Sequence, residues 1–528
     1  MMRQQPTWTT SPTMTSISDL PMSVAIPSLI VGFSLAWLFG YKVWRNARLF
    51  PGPIGLPLLG NVHQIPLVSQ HTTFAEWEKR YGSIIYVRIL QRPVLFLNSV
   101  EAANDLMDTK GANYSDRPPL VFLRESLGLG IITPLLPYGA QWRRHRKWMQ
   151  TALLDKRALD SYREMQIKQV RRLLWELIQS PEDFETHIKR YVGAFVLRIT
   201  YGRTSGSSQD EEFIKMAAQA VADATGAGNL GAALIDFIPM LRYLPAWMPG
   251  AGFQRKALRI KHSIRNAMEI PYKSAKEAVV PGTEKACFVT SVLQQLRQTG
   301  ELTEEDENDL VAAAGGLFLA GIETSITVLL AFVLAMVLHP EVCKKAQAEI
   351  DSAIGLTRLP DFGDRASLPY VERMLQELLR WSCPVTLGVP HQSIADDEYL
   401  GRHIPGGTMI VPNIWSMTRN PHPYPDPETF RPERFDELDA TTLDLHDPSK
   451  LVFGFGRRIC PGRYLADSTI WLVMVSILAC FDISKAVDEE GNEITPTASF
   501  DSAAVRHTKP FKCKISPRSH FNVEHLAV

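Results

Sequence analysis

The sequence is poor in cysteine and has no net charge. Its six cysteines, at 287, 343, 383, 460, 480 and 513, never form a C-x-x-C pair, which excludes zinc-ribbon and thioredoxin-type sites and suits a reducing compartment. Lys+Arg and Asp+Glu both number 56, so no overall field points to a nucleic-acid partner. Repeats of 20–50 residues are missing, which excludes solenoids and propellers. At 45% hydrophobic and 21% charged residues, the composition excludes disordered, collagen-like and disulfide-scaffold classes. The 528 residues admit several domains or one large helical unit.

Charge is also missing from Leu20 to Tyr41, a run long enough to span a bilayer as a helix. Lys42, Arg45 and Arg48 follow it, whereas only Arg3 and Asp19 precede it, so the positive-inside rule places the C-terminal bulk in the cytosol. The run lacks the charged start and small-residue cleavage site of a signal peptide. The expected organisation is a tail and transmembrane anchor over 1–45, a connector over 46–61 whose Pro-rich part is PGPIGLPLLGN, Pro51 to Asn61, and a catalytic domain over 62–528.

Behind the connector the pattern is mainly α with a minor β-sheet region. IIYVRIL and PVLFLN read as a hairpin. Helical periodicity dominates from Gln141 to about Ala224, broken at GRTSGSSQDEE. The Pro-rich, aromatic Phe237–Phe253 stretch cannot be one regular helix. Thr303 reads as the N-cap of a long helix, with Glu304, Glu305 and Asp306 complementing its dipole. That helix runs to Leu338 and is apolar nearly all round, so it belongs in the core. Pro369–Trp381 and Arg463–Cys480 are further helices.

The strongest chemical signal is FGFGRRICPG, Phe453–Gly462. Glycines permit tight turns and close backbone approach, and Pro461 suits a first helical turn. Cys460 then lies at a helix N-terminus, where the dipole and free N–H groups favour thiolate. A lone thiolate among glycines fits an axial ligand to haem iron. One such cysteine alone would usually be structural, but the spacing Phe453, Gly456, Arg458, Cys460, Gly462 resembles the F-x-x-G-x-R-x-C-x-G signature of the cytochrome P450 superfamily. The resemblance implies that Cys460 is the proximal iron ligand and that Arg458 contacts a haem propionate.

Further segments match that family in order. Glu377-Leu-Leu-Arg380 matches E-x-x-R, its charges sharing one helix face, and FRPERF supplies Arg434. The resemblance makes Glu377, Arg380 and Arg434 a buried structural network. Ala320-Gly-Ile-Glu323-Thr324-Ser325 lies mid-helix, where small residues allow a flat ligand to approach. A glutamate in an apolar run is costly enough to favour function, although Thr324 bonding back to a carbonyl is the plainer reading of that hydroxyl. The resemblance assigns Glu323 and Thr324 to proton delivery in oxygen activation; aspartate is the commoner acid there. Trp142 and Arg146, one helical turn apart in QWRRHRKW, resemble a propionate-binding helix, and His391 of Pro390-His391 another propionate contact. The remaining basic side chains of Arg143–Lys147 are expected to dock a flavoprotein.

The resemblance covers about Pro51–Pro517 and is nearest to fungal microsomal members of secondary metabolism. It implies a haem monooxygenase on the endoplasmic reticulum membrane, single-pass and facing the cytosol. Its electrons would come from NADPH through cytochrome P450 reductase, with cytochrome b5 as a further donor, and its substrates would be O2 and a hydrophobic small molecule. Pro118–Leu136, Leu317–Ala320, Val385–Val389 and Phe500–Val505 would line the pocket, and Phe237–Met248 would form a lip at the lipid or a plain surface loop. The rivals are a haem-thiolate isomerase or dehydratase working without reductase and a non-catalytic haem-binding protein. Two motifs are rejected. Gly226–Gly231 fits G-x-G-x-x-G but follows a helix rather than a strand. The sequon at Asn113 would face the cytosol and stay unmodified.

Overall fold

The computed structural model describes residues 48–203, 207–226, 235–236, 238–245, 247–248, 251–278, 287–300, 302–501 and 504–521. The expected anchor over 1–45 lies outside the described residues.

The principal helices are α1 (Gln70–Tyr81), α2 (Ala140–Leu153), α3 (Lys156–Gln179), α4 (Phe184–Tyr201), α5 (Ser208–Thr225), α6 (Gly252–Glu277), α7 (Phe288–Thr299), α8 (Glu304–Leu338), α9 (Pro340–Ile354), α10 (Pro369–Ser382) and α11 (Arg463–Cys480). The strands are β1 (Ile84–Ile89), β2 (Arg92–Leu97), β3 (His391–Gln392), β4 (Asp397–Tyr399), β5 (Arg402–Ile404), β6 (Met409–Pro412), β7 (Phe481–Val487), β8 (Glu493–Ile494) and β9 (Cys513–Pro517).

Helix α8 organises the main unit. Its sequence is apolar on every side, so burial requires neighbours all round. Helices α2, α4, α5, α6, α7, α10 and α11 supply them. Both α8 and α11 are apolar enough to cross a bilayer by composition, yet each is largely buried among other helices. Thr303 caps α8 in a reciprocal box with Asp306: each side chain receives the other's backbone N–H. Pro340 opens α9 at its first turn, where a missing N–H costs nothing.

A four-stranded sheet of order β1-β2-β6-β3 lies beside the helices. Arg92 pairs with Ile89, so the β1–β2 turn is Leu90-Gln91 rather than the expected Gln91-Arg92. The Pro-rich segment runs along β1: Tyr86 N–H donates to Pro51 O at 2.9 Å and Asn61 N–H to Arg88 O at 2.6 Å. Residues 51–61 thus cover a sheet edge that would otherwise expose unpaired backbone groups. At the C-terminal end, β8-β7-β9 form a second sheet. A separate small unit holds the β4–β5 hairpin with residues 48–50, where Arg402 Nη1 donates to Leu49 O at 2.7 Å.

Thr303→Ala removes one half of the α8 capping box. Urea denaturation is expected to show a loss of about 1 kcal/mol, the usual cost of a lost N-cap, whereas Thr303→Ser should retain most of the stability.

Candidate functional site: a cysteine loop ringed by guanidiniums

The loop before α11 is shaped by backbone contacts. Cys460 N–H donates to Phe453 O at 2.8 Å, closing the loop on itself. Gly456 has φ +54°, and a Cβ there would stand 2.1 Å from Met107 O, so no side chain fits. Helix α11 begins at Arg463, with Pro461-Gly462 forming a turn ahead of it. Pro461 therefore precedes the first helical turn instead of occupying it.

Cys460 is half-buried. Burial pushes its thiol pKa up, against the opposing pulls of the Gly462 N–H, Arg146 and Arg463. The expectation that the helix terminus would favour thiolate is thus reversed in the protein alone, because desolvation outweighs those pulls. A cation at Sγ restores the balance toward thiolate.

Around the loop stands a surplus of buried positive charge. Arg458 donates from Nε to Ser115 O at 2.8 Å and from Nη2 to Leu136 O at 2.9 Å. Its Nη1 is buried without a partner among the described residues. Burial presses the Arg458 pKa down to about 10. Its guanidinium carbon lies 4.6 Å from the Trp142 ring centroid, with Arg146 at 5.8 Å from the same ring. Arg146 reaches the loop itself, donating from Nη1 to Ile459 O at 2.7 Å.

His391 is buried with Nδ1 2.7 Å from Tyr114 O, so Nδ1 carries the proton. Burial, with Arg117 and Arg458 close by, holds its pKa far below the ordinary value. Nε2 is then a lone pair, and bonds an anion only after taking a proton.

Arg117 was not singled out in the sequence. It is buried and donates to Pro134 O (2.8 Å), Val389 O (2.6 Å) and Pro390 O (2.7 Å). Its signal was a lone arginine entering the apolar run PPLVFL. Asp116 is the carboxylate beside these cations, and it already accepts Tyr138 N–H at 2.8 Å. Three guanidiniums against one carboxylate, with one Nη unpaired, fit a group that brings further carboxylates. A cysteine able to meet a metal cation lies on the same loop as Arg458. The residues present therefore fit haem.

Of the basic run in α2, much faces inward. Arg144 pairs with Asp309 and with Glu305 at 2.8 Å, and His145 is fully buried with Nδ1 3.0 Å from Thr133 Oγ1. Only Arg143 and Lys147 of the run are exposed, so the expected docking face is narrower than the sequence indicated.

Glu323 and Thr324, which the resemblance assigned to oxygen activation, lie on α8. Ala320 is exposed in the middle of this buried helix, and Thr324, one turn on, shares its face. Thr324 Oγ1 donates to Ala320 O at 2.9 Å, as the plainer reading held. Gly321 serves another purpose than approach to a flat ligand: its Cβ would stand 3.1 Å from Val196, so it admits α4. Burial pushes the Glu323 pKa up, against His507 and Lys189. His507, also missed in the sequence, places Nε2 3.3 Å from Glu323 Oε2.

Glu377, Arg380 and Arg434 meet with side chains fully shielded from solvent. Arg380 bonds Glu377 twice, Nε to Oε2 at 2.7 Å and Nη2 to Oε1 at 2.8 Å. Arg434 Nε reaches Oε1 at 3.0 Å, and Arg431 N–H the same oxygen at 2.8 Å. The outer guanidinium nitrogens donate to carbonyls of Thr418, Pro425, Pro427 and Thr429. Asn113 of the sequon is occupied as well, its Oδ1 accepting from Ala395 N–H at 2.8 Å.

A core-helix fold carrying a cysteine loop among buried cations is how a haem-thiolate oxidoreductase is built. The chain belongs to the cytochrome P450 family, whose model matches residues 50–515. That family binds haem through an axial cysteine thiolate. Cytochrome P450 monooxygenase 136 of Postia placenta is 45% identical over 507 residues, 96% of each chain. Cytochrome P450 monooxygenase 176 of the same organism is 47% identical over 475 residues, 90% of this chain and 91% of its own. Cytochrome P450 monooxygenase claR of Ampulloclitocybe clavipes is 37% identical over 500 residues, 94% and 92% of the two chains.

Glu377→Ala leaves two buried guanidiniums facing each other without their carboxylate. Denaturation in urea is expected to show about 3–5 kcal/mol lost; a change below about 1 kcal/mol would show that the network is not structural.

Proposed function

We propose that the chain is a haem-dependent monooxygenase that inserts one atom of O2 into a hydrophobic small molecule, a fungal secondary metabolite. Cys460 is the axial ligand in this reading. The observation that carries it is the conjunction of Cys460 with the unpaired Arg458 Nη1 on one glycine-shaped loop. The cofactor, when bound, supplies oxygen activation at its iron.

The protein's own residues do the rest. Arg458, Trp142 and His391, with Arg117 beside them, hold the cofactor's carboxylates, His391 gaining a proton as the anion arrives. Arg146 fixes the cysteine loop through Ile459 O. Glu377, Arg380 and Arg434 keep the segment 418–434 in place. Thr324 gives its hydroxyl proton to Ala320 O, which leaves its lone pairs to accept a donor from the site. Glu323 is the proton source. The overall reaction consumes O2, a pair of electrons and a pair of protons, and yields the oxygenated substrate and water.

The electrons come from NADPH through a reductase docked near Arg143 and Lys147, with cytochrome b5 as a further donor. The apolar segments 118–136, 317–320, 385–389 and 500–505 receive the substrate. Residues 1–45 anchor the chain in the endoplasmic reticulum membrane, catalytic domain in the cytosol. Met240, Tyr243 and Trp247, exposed by 79%, 71% and 79%, support contact of the neighbouring lip with lipid. The Glu323–Thr324 pair argues against an isomerase or dehydratase, which consumes no protons from a reductase cycle.

The test is turnover in microsomes with NADPH and reductase over a panel of hydrophobic metabolites, read as a mass gain of one oxygen. Cys460→Ala should abolish both turnover and the thiolate-type absorption of the reduced carbon-monoxide form; retention of that absorption contradicts the ligand assignment. Thr324→Ala should keep the absorption but divert NADPH electrons to peroxide on the order of tenfold, and unchanged coupling would remove Thr324 from proton delivery.

A further inference from the structure

Glu323 must obtain its protons from somewhere, and α8 is buried on most sides. Among the described residues, His507 reaches it from outside the helix. Residues 499–501 and 506–509 hold one another: Lys509 N–H donates to Ser499 O at 2.9 Å, and Asp501 N–H to His507 O at 2.8 Å. His507 N–H in turn donates to the Asp501 carboxylate at 3.0 Å. Arg506 anchors this return to the end of α10. Its N–H donates to Pro384 O at 2.8 Å, and its Nη1 to Trp381 O at 3.1 Å and Ser382 O at 3.0 Å. Its guanidinium carbon lies 3.8 Å from the Phe500 ring centroid. With Arg506 held against α10, the next side chain, His507, faces α8.

Both imidazole nitrogens are engaged there. Nδ1 lies 3.0 Å from Thr327 Oγ1 and Nε2 3.3 Å from Glu323 Oε2. Glu323 and Thr327 are one helical turn apart, so one ring bridges both. If Thr327 donates to Nδ1, Nε2–H points at the carboxylate. The other charges near this pair are Lys189 of α4 on the Glu323 side and Asp501 on the His507 side. The His507 side chain is 28% exposed and that of Glu323 14%, so the ring connects solvent with a mostly covered acid.

We propose that His507 positions the Glu323 carboxyl and relays protons to it from solvent. In the step, the ring first takes a proton from hydronium at the solvent side; the Nε2–H bond of the imidazolium then breaks as an Oε2–H bond forms, leaving a neutral imidazole that keeps its proton on Nδ1 beside Thr327 Oγ1, and no electrons move. The inference rests on Glu323 being the proton source of the proposed monooxygenase. His507 is a positioning residue, since it meets Glu323 and not the reacting atoms.

The test uses full-length holoenzyme with reductase, NADPH and 7-ethoxycoumarin as a hydrophobic probe, comparing wild type, His507→Gln, His507→Ala, Glu323→Gln and the double variant His507→Gln/Glu323→Gln. Glutamine keeps a donor but cannot carry a proton. Both His507 variants should retain the reduced carbon-monoxide absorption yet lose product per NADPH on the order of tenfold, with peroxide in its place. The double variant should be no worse than Glu323→Gln alone. Independently of turnover, thermal-unfolding midpoints of the same holoenzymes should be non-additive across the cycle. Wild-type coupling in His507→Gln, multiplied losses in the double variant, or additive midpoints would each overturn the relay. If Glu323→Gln itself couples like wild type, the reading of Glu323 fails and the relay with it. Impaired Glu323→Gln beside unimpaired His507→Gln sinks the relay alone.

Discussion

The fold of the site depends on one buried carboxylate. Glu377 stands between two guanidiniums with no solvent contact, and such a group is tolerable only when every oxygen is paired. Arg380 comes from the same helix, one turn on, but Arg434 and the Arg431 N–H come from a segment more than fifty residues later. The carboxylate therefore converts a local helix pair into a long-range clamp. The guanidiniums extend it by binding carbonyls between Thr418 and Thr429, where there is little regular structure to satisfy them. Charge–charge attraction is not what makes this arrangement valuable, because desolvation offsets most of it. Its worth is directional: a loop region gains one conformation, and the chain leading to Phe453–Gly462 starts from a fixed point.

The cysteine loop has the opposite electrostatic character. Around Glu377 two guanidiniums share one carboxylate and their outer nitrogens all find carbonyls, whereas beside the cysteine loop Arg458 has a nitrogen left over. Asp116 is the carboxylate beside Arg117 and Arg458, Arg146 stands next to Arg458, burial lowers the pKa of each guanidinium, and Arg458 Nη1 is buried without a partner among the described residues. A ligand carrying carboxylates would supply an anion to this surplus. The same reasoning covers Cys460, whose thiolate is disfavoured until a cation meets it. Both imbalances are answered by a single group carrying carboxylates at its edge and a metal at its centre.

Much of this was legible in the sequence, and the reasons are physical. The long helix from Thr303 to Leu338 announces itself because cap chemistry and all-round apolarity act over contiguous residues. Phe453–Gly462 is legible because Gly456 leaves no room for a side chain beside Met107. What escaped notice depends on distant partners. His507 meets Glu323 across 184 positions, and nothing local to either residue encodes the contact. Arg117 looks like an ordinary charge until the carbonyls of Pro134, Val389 and Pro390 converge on it. The basic run of α2 misled for the same reason: Arg144 and His145 turn toward Asp309 of α8, a partner that periodicity cannot reveal. Gly321 was read as space for a ligand, but Val196 of α4 claims that space.

Helix α8 reconciles two demands that conflict in principle. A core helix should present apolar side chains everywhere, and a proton-delivering helix must present an acid, a hydroxyl and an open face. The conflict is resolved within two turns. Gly315, Gly316 and Gly321 let neighbouring elements approach closely, meeting Met268, Ile132 and Val196. Ala320 and Thr324 form the open strip, and Thr324 satisfies its own hydroxyl proton on the Ala320 carbonyl, so no outside acceptor is needed. Glu323 cannot satisfy itself in this way, because a carboxylate only accepts. It therefore needs a donor from another element, and burial makes the need acute. The return formed by residues 499–501 and 506–509 supplies that donor through the part-exposed His507 ring, so in the proposed reading the requirement of packing and the requirement of proton supply fall on the same side chain.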